Sequence, residues 1–137
     1  MEKTILVQTI INSPIDKVWE LYTTPKDIMQ WNNASPDWHT PHAENDFKVG
    51  GKFIYRMEAK DGSFGFDFWG TYDSIKINER IDYTIGDGRK VKVTFSSQET
   101  KTKVVIEFEA EETNSIEMQK DGWQAILNHF KKYVEMN

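Results

Sequence analysis

Residues 101–135 read KTKVVIEFEAEETNSIEMQKDGWQAILNHFKKYVE, and the hydrophobic period changes inside this stretch. Val104, Ile106 and Phe108 alternate with Val105, Glu107 and Glu109, the period of two of a strand with one buried face. Beyond Ala110 the spacing becomes helical. Trp123, Ile126, Leu127, Phe130 and Val134 fall on one face, and Asn114, three residues before Glu117, has the spacing of a helix start. This predicts a helix from Asn114 to about Glu135. Gly122 lies inside it, where glycine costs about 1 kcal/mol relative to alanine. It points to a close approach by a strand or a ligand, or to a loose first turn.

Upstream of this stretch the period of two continues. Val91, Val93 and Phe95 oppose Lys90, Lys92 and Thr94, and Ile81, Tyr83 and Ile85 alternate with Asp82 and Thr84. Gly86-Asp87-Gly88 separates these two runs as a turn. Phe64, Phe66, Phe68, Gly70 and Tyr72 share one parity, and Phe53, Tyr55 and Met57 form the run before it, joined through an Asp61-Gly62 hairpin. Asn32 to Glu44 is polar, contains Pro36 and Pro41, and reads as an irregular loop. Before it lie two short helix signatures, Ser13-Pro14-Ile15-Asp16 and Thr24-Pro25-Lys26-Asp27, with a break at Thr23–Thr24. Thr4 to Ile11 reads as a first strand. The fold class is therefore α+β: a strand, two short helices, about six antiparallel strands and a long C-terminal helix lying across a curved sheet.

A chain of 137 residues is the size of one compact domain, expected here over residues 1–137. Five Trp, five Tyr and eight Phe supply a core without cysteine, which excludes disulfides and thiol chemistry. With 17 Lys+Arg against 22 Asp+Glu the formal net charge is −5, and no basic cluster is present, so neither nucleic acid nor membrane is an expected partner. No signal peptide or spanning apolar run opens the chain, and a cytoplasmic location is expected. Acidic Glu107 and Glu109 are read as discouraging edge-to-edge strand pairing, leaving a monomer or a weak homodimer.

Val18-Trp19, Thr24-Pro25 followed by Trp31, Gly50-Gly51-Lys52-Phe53, Gly70 ahead of Glu79-Arg80-Ile81, and Gly122-Trp123 with Leu127 and Phe130 occur here in a familiar order. Over nearly the whole chain this resembles the START-like (SRPBCC) superfamily, in particular the group named after the activator of the 90-kDa heat-shock protein ATPase. The resemblance implies a helix-grip fold, a sheet of six to seven strands wrapped around the C-terminal helix with a deep apolar cavity between them. It also implies a chaperone of the 90-kDa heat-shock class as a candidate protein partner.

The candidate ligand-binding residues are Trp31, Phe53, Tyr55, Met57, Phe66, Phe68, Tyr83, Phe95, Trp123, Leu127 and Phe130. They combine apolar walls with phenols that can orient a ligand. Trp38 flanks the polar loop with no role assigned. His39 and His42, near Asp37, Glu44 and Asp46, have metal-ligand chemistry but no regular element to fix their geometry, so no metal is expected. Glu58 and Asp67 are expected to face solvent, but Phe68 and Trp69 both want burial and leave the parity of residues 64–72 open, and the opposite parity would turn Asp67 and Trp69 into the cavity. His129 is expected to flank the C-terminal helix. No catalytic triad, phosphate loop or dinucleotide motif occurs, so no catalytic residue and no cofactor is expected. The leading reading is a non-catalytic domain for a small hydrophobic or amphipathic ligand. The others are a chaperone-modulating module, and a cyclase- or hydrolase-like enzyme using Asp67, His129 or a tyrosine.

Overall fold

The computed structural model describes residues 3–137; Met1 and Glu2, included in the expected domain, lie outside the described residues. The elements run β1 (Thr4–Ile11), α1 (Ile15–Thr23), α2 (Pro25–Trp31), β2 (Trp38–Asn45), β3 (Lys52–Ala59), β4 (Gly65–Lys76), β5 (Arg80–Ile85), β6 (Lys90–Gln98), β7 (Lys101–Glu109) and α3 (Ile116–Met136). Seven strands form one antiparallel sheet in the order β1-β7-β6-β5-β4-β3-β2. The sheet curves around α3, the helix-grip arrangement.

Inward-facing residues are paired across neighbouring strands. Val7 stands opposite Ile106, Ile106 opposite Val93, Val93 opposite Ile81, and Tyr83 opposite both Val91 and Tyr72. On the helix, Leu127, Phe130 and Val134 are fully buried, and Trp123 and Ile126 are half-buried at the edge of the same face. Edge strand β1 is tied to α3, because Gln124 Nε2 donates to the Gln8 carbonyl at 3.1 Å and Glu135 accepts the Asn12 amide at 2.8 Å. The Tyr133 hydroxyl reaches Asp27 on α2 at 2.6 Å. Burial and that bond push the phenol up to about 12.

Several local expectations are corrected. The polar stretch before Gly50 is not all loop, since Trp38–Asn45 pairs with β3 as the sheet's other edge. Pro41 hides this strand from a sequence reading, because proline cannot donate to a ladder. On an edge, at the register shift between His39 and His42, it need not. Glu107 and Glu109 do not guard an edge, for β7 is paired on both sides. Helix α3 is capped by Ser115, whose hydroxyl accepts the Met118 amide at 3.1 Å, and not by Asn114. Ser13 does not cap α1 either: Pro14 is the N-cap residue, and the Ser13 carbonyl accepts from the buried Thr102 hydroxyl at 2.8 Å. Nothing approaches Gly122, where an added Cβ would meet no atom within 4 Å. Close approach is needed instead at glycines such as Gly70, where a Cβ would lie 2.9 Å from the Phe53 ring.

Candidate functional site

Between α3 and the concave face of the sheet is a pocket of about 320 Å³. Strands β3 and β4 supply one wall, with Phe53, Tyr55, Met57, Phe66 and Phe68. Their register explains the grouping, because Phe53 faces Gly70, Tyr55 faces Phe68 and Met57 faces Phe66. Gly70 carries no side chain at the point where the Phe53 ring must lie flat on the sheet. Helix α3 supplies Trp123, Ile126 and Leu127, and α1 and α2 close one end with Tyr22, Thr23 and Trp31. Trp31 is buried, stacked on Tyr22 at 5.1 Å, and anchored by its indole N–H on the Leu21 carbonyl at 3.0 Å. Trp123 stacks flat on Phe108 with ring centres 4.0 Å apart, which holds the indole upright at the pocket rim.

Nine of the eleven candidate residues line this pocket. Phe95 and Phe130 do not. Both lie in the core behind it, where Phe95 packs edge-on against Trp19 and Tyr22, and Phe130 against Tyr22 and Trp31. They share the inward parity of the lining residues, but Tyr22 stands between them and the pocket. Spacing along one element cannot reveal that a ring from another element intervenes.

Other lining residues were not anticipated: Tyr22, Phe47, Tyr72, Arg89 and Glu111 among them. Two left a signal in the sequence. Tyr72 continues the parity of Phe66, Phe68 and Gly70, and Arg89 precedes Val91, Val93 and Phe95 at the same parity. Phe47 and Glu111 sit beyond strand ends, where parity arguments stop.

The phenols are the main polar groups inside. Tyr55 donates to the Tyr72 oxygen, which also accepts from Asn45 at 3.4 Å. Burial holds the Tyr22, Tyr55 and Tyr83 phenols well above the usual phenol range, so all three are neutral donors at any physiological pH. Tyr83 is over nine-tenths buried, and its hydroxyl has no hydrogen-bond partner among the described residues. Tyr83 is one of the residues lining the pocket.

The remaining candidates lie elsewhere. Glu58 and Asp67 are on the outer face, both bonded to Arg56, at 2.8 and 3.5 Å. Trp69 points outward beside them, with the Lys52 ammonium 5.6 Å from its ring. His39 neighbours Glu58, and His42 pairs with Glu44 at 3.2 Å. Among the described residues no three His, Cys, Asp or Glu side chains come together as a metal site. His129 is half-buried on the flank of α3, outside the pocket. Trp38 packs against Phe64 and Phe66 at the sheet's end. No described helix is long and apolar enough to cross a membrane.

Comparisons with known proteins agree with this architecture. A search among curated proteins finds no significant match. Among solved structures, the chain is similar to a solution structure of an AHSA1-like protein from Aeromonas hydrophila, at 42% identity and a TM-score of 0.92, covering 98% of this chain and 93% of that one. It is also similar to a solution structure from Cytophaga hutchinsonii, at 51% identity and a TM-score of 0.85 with the same coverage. A Nitrosomonas europaea crystal structure shares the fold at 14% identity and a TM-score of 0.83. The family model described as activator of Hsp90 ATPase homolog 1-like protein matches residues 12–135. With that match running from the end of β1 nearly to the end of α3, the chain belongs to the activator of Hsp90 ATPase homolog 1-like family, within the START-like superfamily.

Proposed function

We propose that this protein is a non-catalytic binding domain that holds a small hydrophobic or amphipathic ligand between the sheet and α3. The observation that carries this reading is the pocket itself, about 320 Å³ and walled mainly by aromatic rings. Ligand sites fall in the range of roughly 300–1,000 Å³ and are mostly apolar with a few placed polar groups. The Tyr83 hydroxyl is such a group, since Tyr83 lines the pocket and its hydroxyl has no protein partner among the described residues. A ligand acceptor or a water satisfies it. Nucleophiles and carboxylates do not converge on the pocket, which favours binding over turnover.

The test is a fluorescence titration with N-phenyl-1-naphthylamine, a neutral apolar probe. Saturable binding at one site is expected, together with its loss in Ile126→Trp, which places an indole in the pocket from a half-buried position. Binding that survives Ile126→Trp in a folded protein, or no binding to the unaltered protein, contradicts the proposal.

A second reading, a module that modulates a 90-kDa heat-shock-class chaperone, is favoured by the family match over residues 12–135. It predicts a changed rate of ATP hydrolysis when the protein is added to its host's own chaperone. An unchanged rate at saturating protein removes it.

A further inference from the structure

The pocket is not uniformly apolar. Arg89, Glu111, Trp123 and Ile126 line both it and a second, more open depression of about 260 Å³ on its outer side, so these four residues mark the pocket's mouth. Arg89 is the one cationic side chain lining the main pocket among the described residues. The Gly86–Gly88 turn places it there. Asp87 Oδ1 accepts the Arg89 amide at 3.1 Å, and the chain then enters β6 with Arg89 at the inward parity of Val91 and Val93.

The guanidinium is held on two sides. Its Nε donates to Asp87 Oδ2 at 2.8 Å, and its Nη1 reaches the Glu109 carbonyl at 3.4 Å. Nη2 has no partner among the described residues. Glu111 forms no ion pair with Arg89 among the described residues, and its Oε1 accepts the Asn114 amide at 2.5 Å, but its negative charge at the mouth acts against an anion there as Asp87 does. Tyr83 lines the same pocket as Arg89, and the arginine's positive charge opposes the upward push of burial on its phenol. Two donors without protein acceptors, one charged and at the mouth and one neutral, therefore line the same pocket.

Resting on the ligand-binding reading above, we propose that the pocket is specific for amphipathic organic anions, with an apolar body among the rings and a carboxylate-like head on Arg89 and Tyr83. An arginine whose Nε and Nη1 are already engaged presents its remaining N–H groups in a fixed direction, so little side-chain entropy is lost when an anion docks. Asp87 orients the guanidinium from the solvent side and lowers the net field at the site.

The experiment uses two probes with the same ring system, neutral N-phenyl-1-naphthylamine and its sulfonate, 8-anilinonaphthalene-1-sulfonate. Each is titrated into the full chain and into Arg89→Gln, Arg89→Lys and Asp87→Asn. Arg89→Gln is expected to weaken the sulfonate by about tenfold, the scale of one charge-assisted hydrogen bond, and the neutral probe by less than about twofold. Arg89→Lys, which keeps the charge, is expected to retain part of the preference. Asp87→Asn, which keeps the arginine and removes the competing charge, is expected to tighten the sulfonate. Equal weakening of both probes by Arg89→Gln, or no change in either, overturns the anion site while the pocket stands. A neutral probe that fails to bind the unaltered protein overturns the pocket reading itself.

Discussion

Tyr22, Tyr55 and Tyr83 each place a phenol where water is scarce, and this gives the protein a signature on the alkaline side. Burial raises all three above the usual phenol value of 10, so at high pH the unfolded chain gives up protons that the folded chain keeps. The stability they contribute is complete below pH 10 and falls as pH rises from there toward their folded values. Urea midpoints measured at pH 8, 10 and 11 should decline beyond pH 10. The decline should be shallower in Tyr22→Phe, and an identical slope would contradict the burial of that hydroxyl. Gly70 makes a second prediction. An alanine Cβ would meet the Phe53 ring at 2.9 Å and the Thr84 carbonyl at 2.5 Å, both parts of packed structure with little room to give. Gly70→Ala should therefore cost about 1–3 kcal/mol, seen as a lower urea midpoint, and should perturb the Phe53 ring resonances at the pocket wall.

At the scale of elements, α3 joins the two halves of the fold, and its two ends can be tested separately. At the N-terminus the Ser115 hydroxyl caps the Met118 amide, so Ser115→Ala should cost about 1 kcal/mol, whereas Asn114→Ala should stay within about 0.5 kcal/mol. The reverse order in urea melts would restore Asn114 as the cap. In the body of the helix, Phe130 is wholly buried against Tyr22 and Trp31. Phe130→Ala should cost about 3–5 kcal/mol, and its effect on probe affinity should follow only from lost stability, because the ring does not reach the pocket. Serine and asparagine both cap helices, so their adjacency at 114–115 left the choice open to sequence. It is decided by which hydroxyl or amide the folded first turn can reach.

Across the whole molecule, element order and most strand parity were legible because each strand from β3 to β7 buries one face and each turn carries glycine or polar residues. The parity of residues 64–72 was not legible, because Phe68 and Trp69 both want burial; the structure puts Phe68 in the pocket wall and leaves Trp69 exposed on the outer face. Strand β2 was not legible, since an edge strand needs neither a full donor row nor a regular pattern, and Pro41 with His39 and His42 gave it the appearance of loop. The pocket wall was mostly legible for the same reason as the sheet. Its depth was not. Whether Phe95 or Tyr22 faces the space depends on how α1 lies across the sheet, a tertiary fact with no local periodicity behind it.

The central claim is that the space under α3 takes a ligand. Its most direct test is a set of intermolecular NOEs between N-phenyl-1-naphthylamine and the methyl groups of labelled protein. The account predicts contacts from the probe rings to Met57, Ile106, Ile126 and Leu127, which line one pocket from three different elements. A saturated probe with contacts only to outward methyls such as those of Leu6 or Ile77, which are exposed, would contradict it.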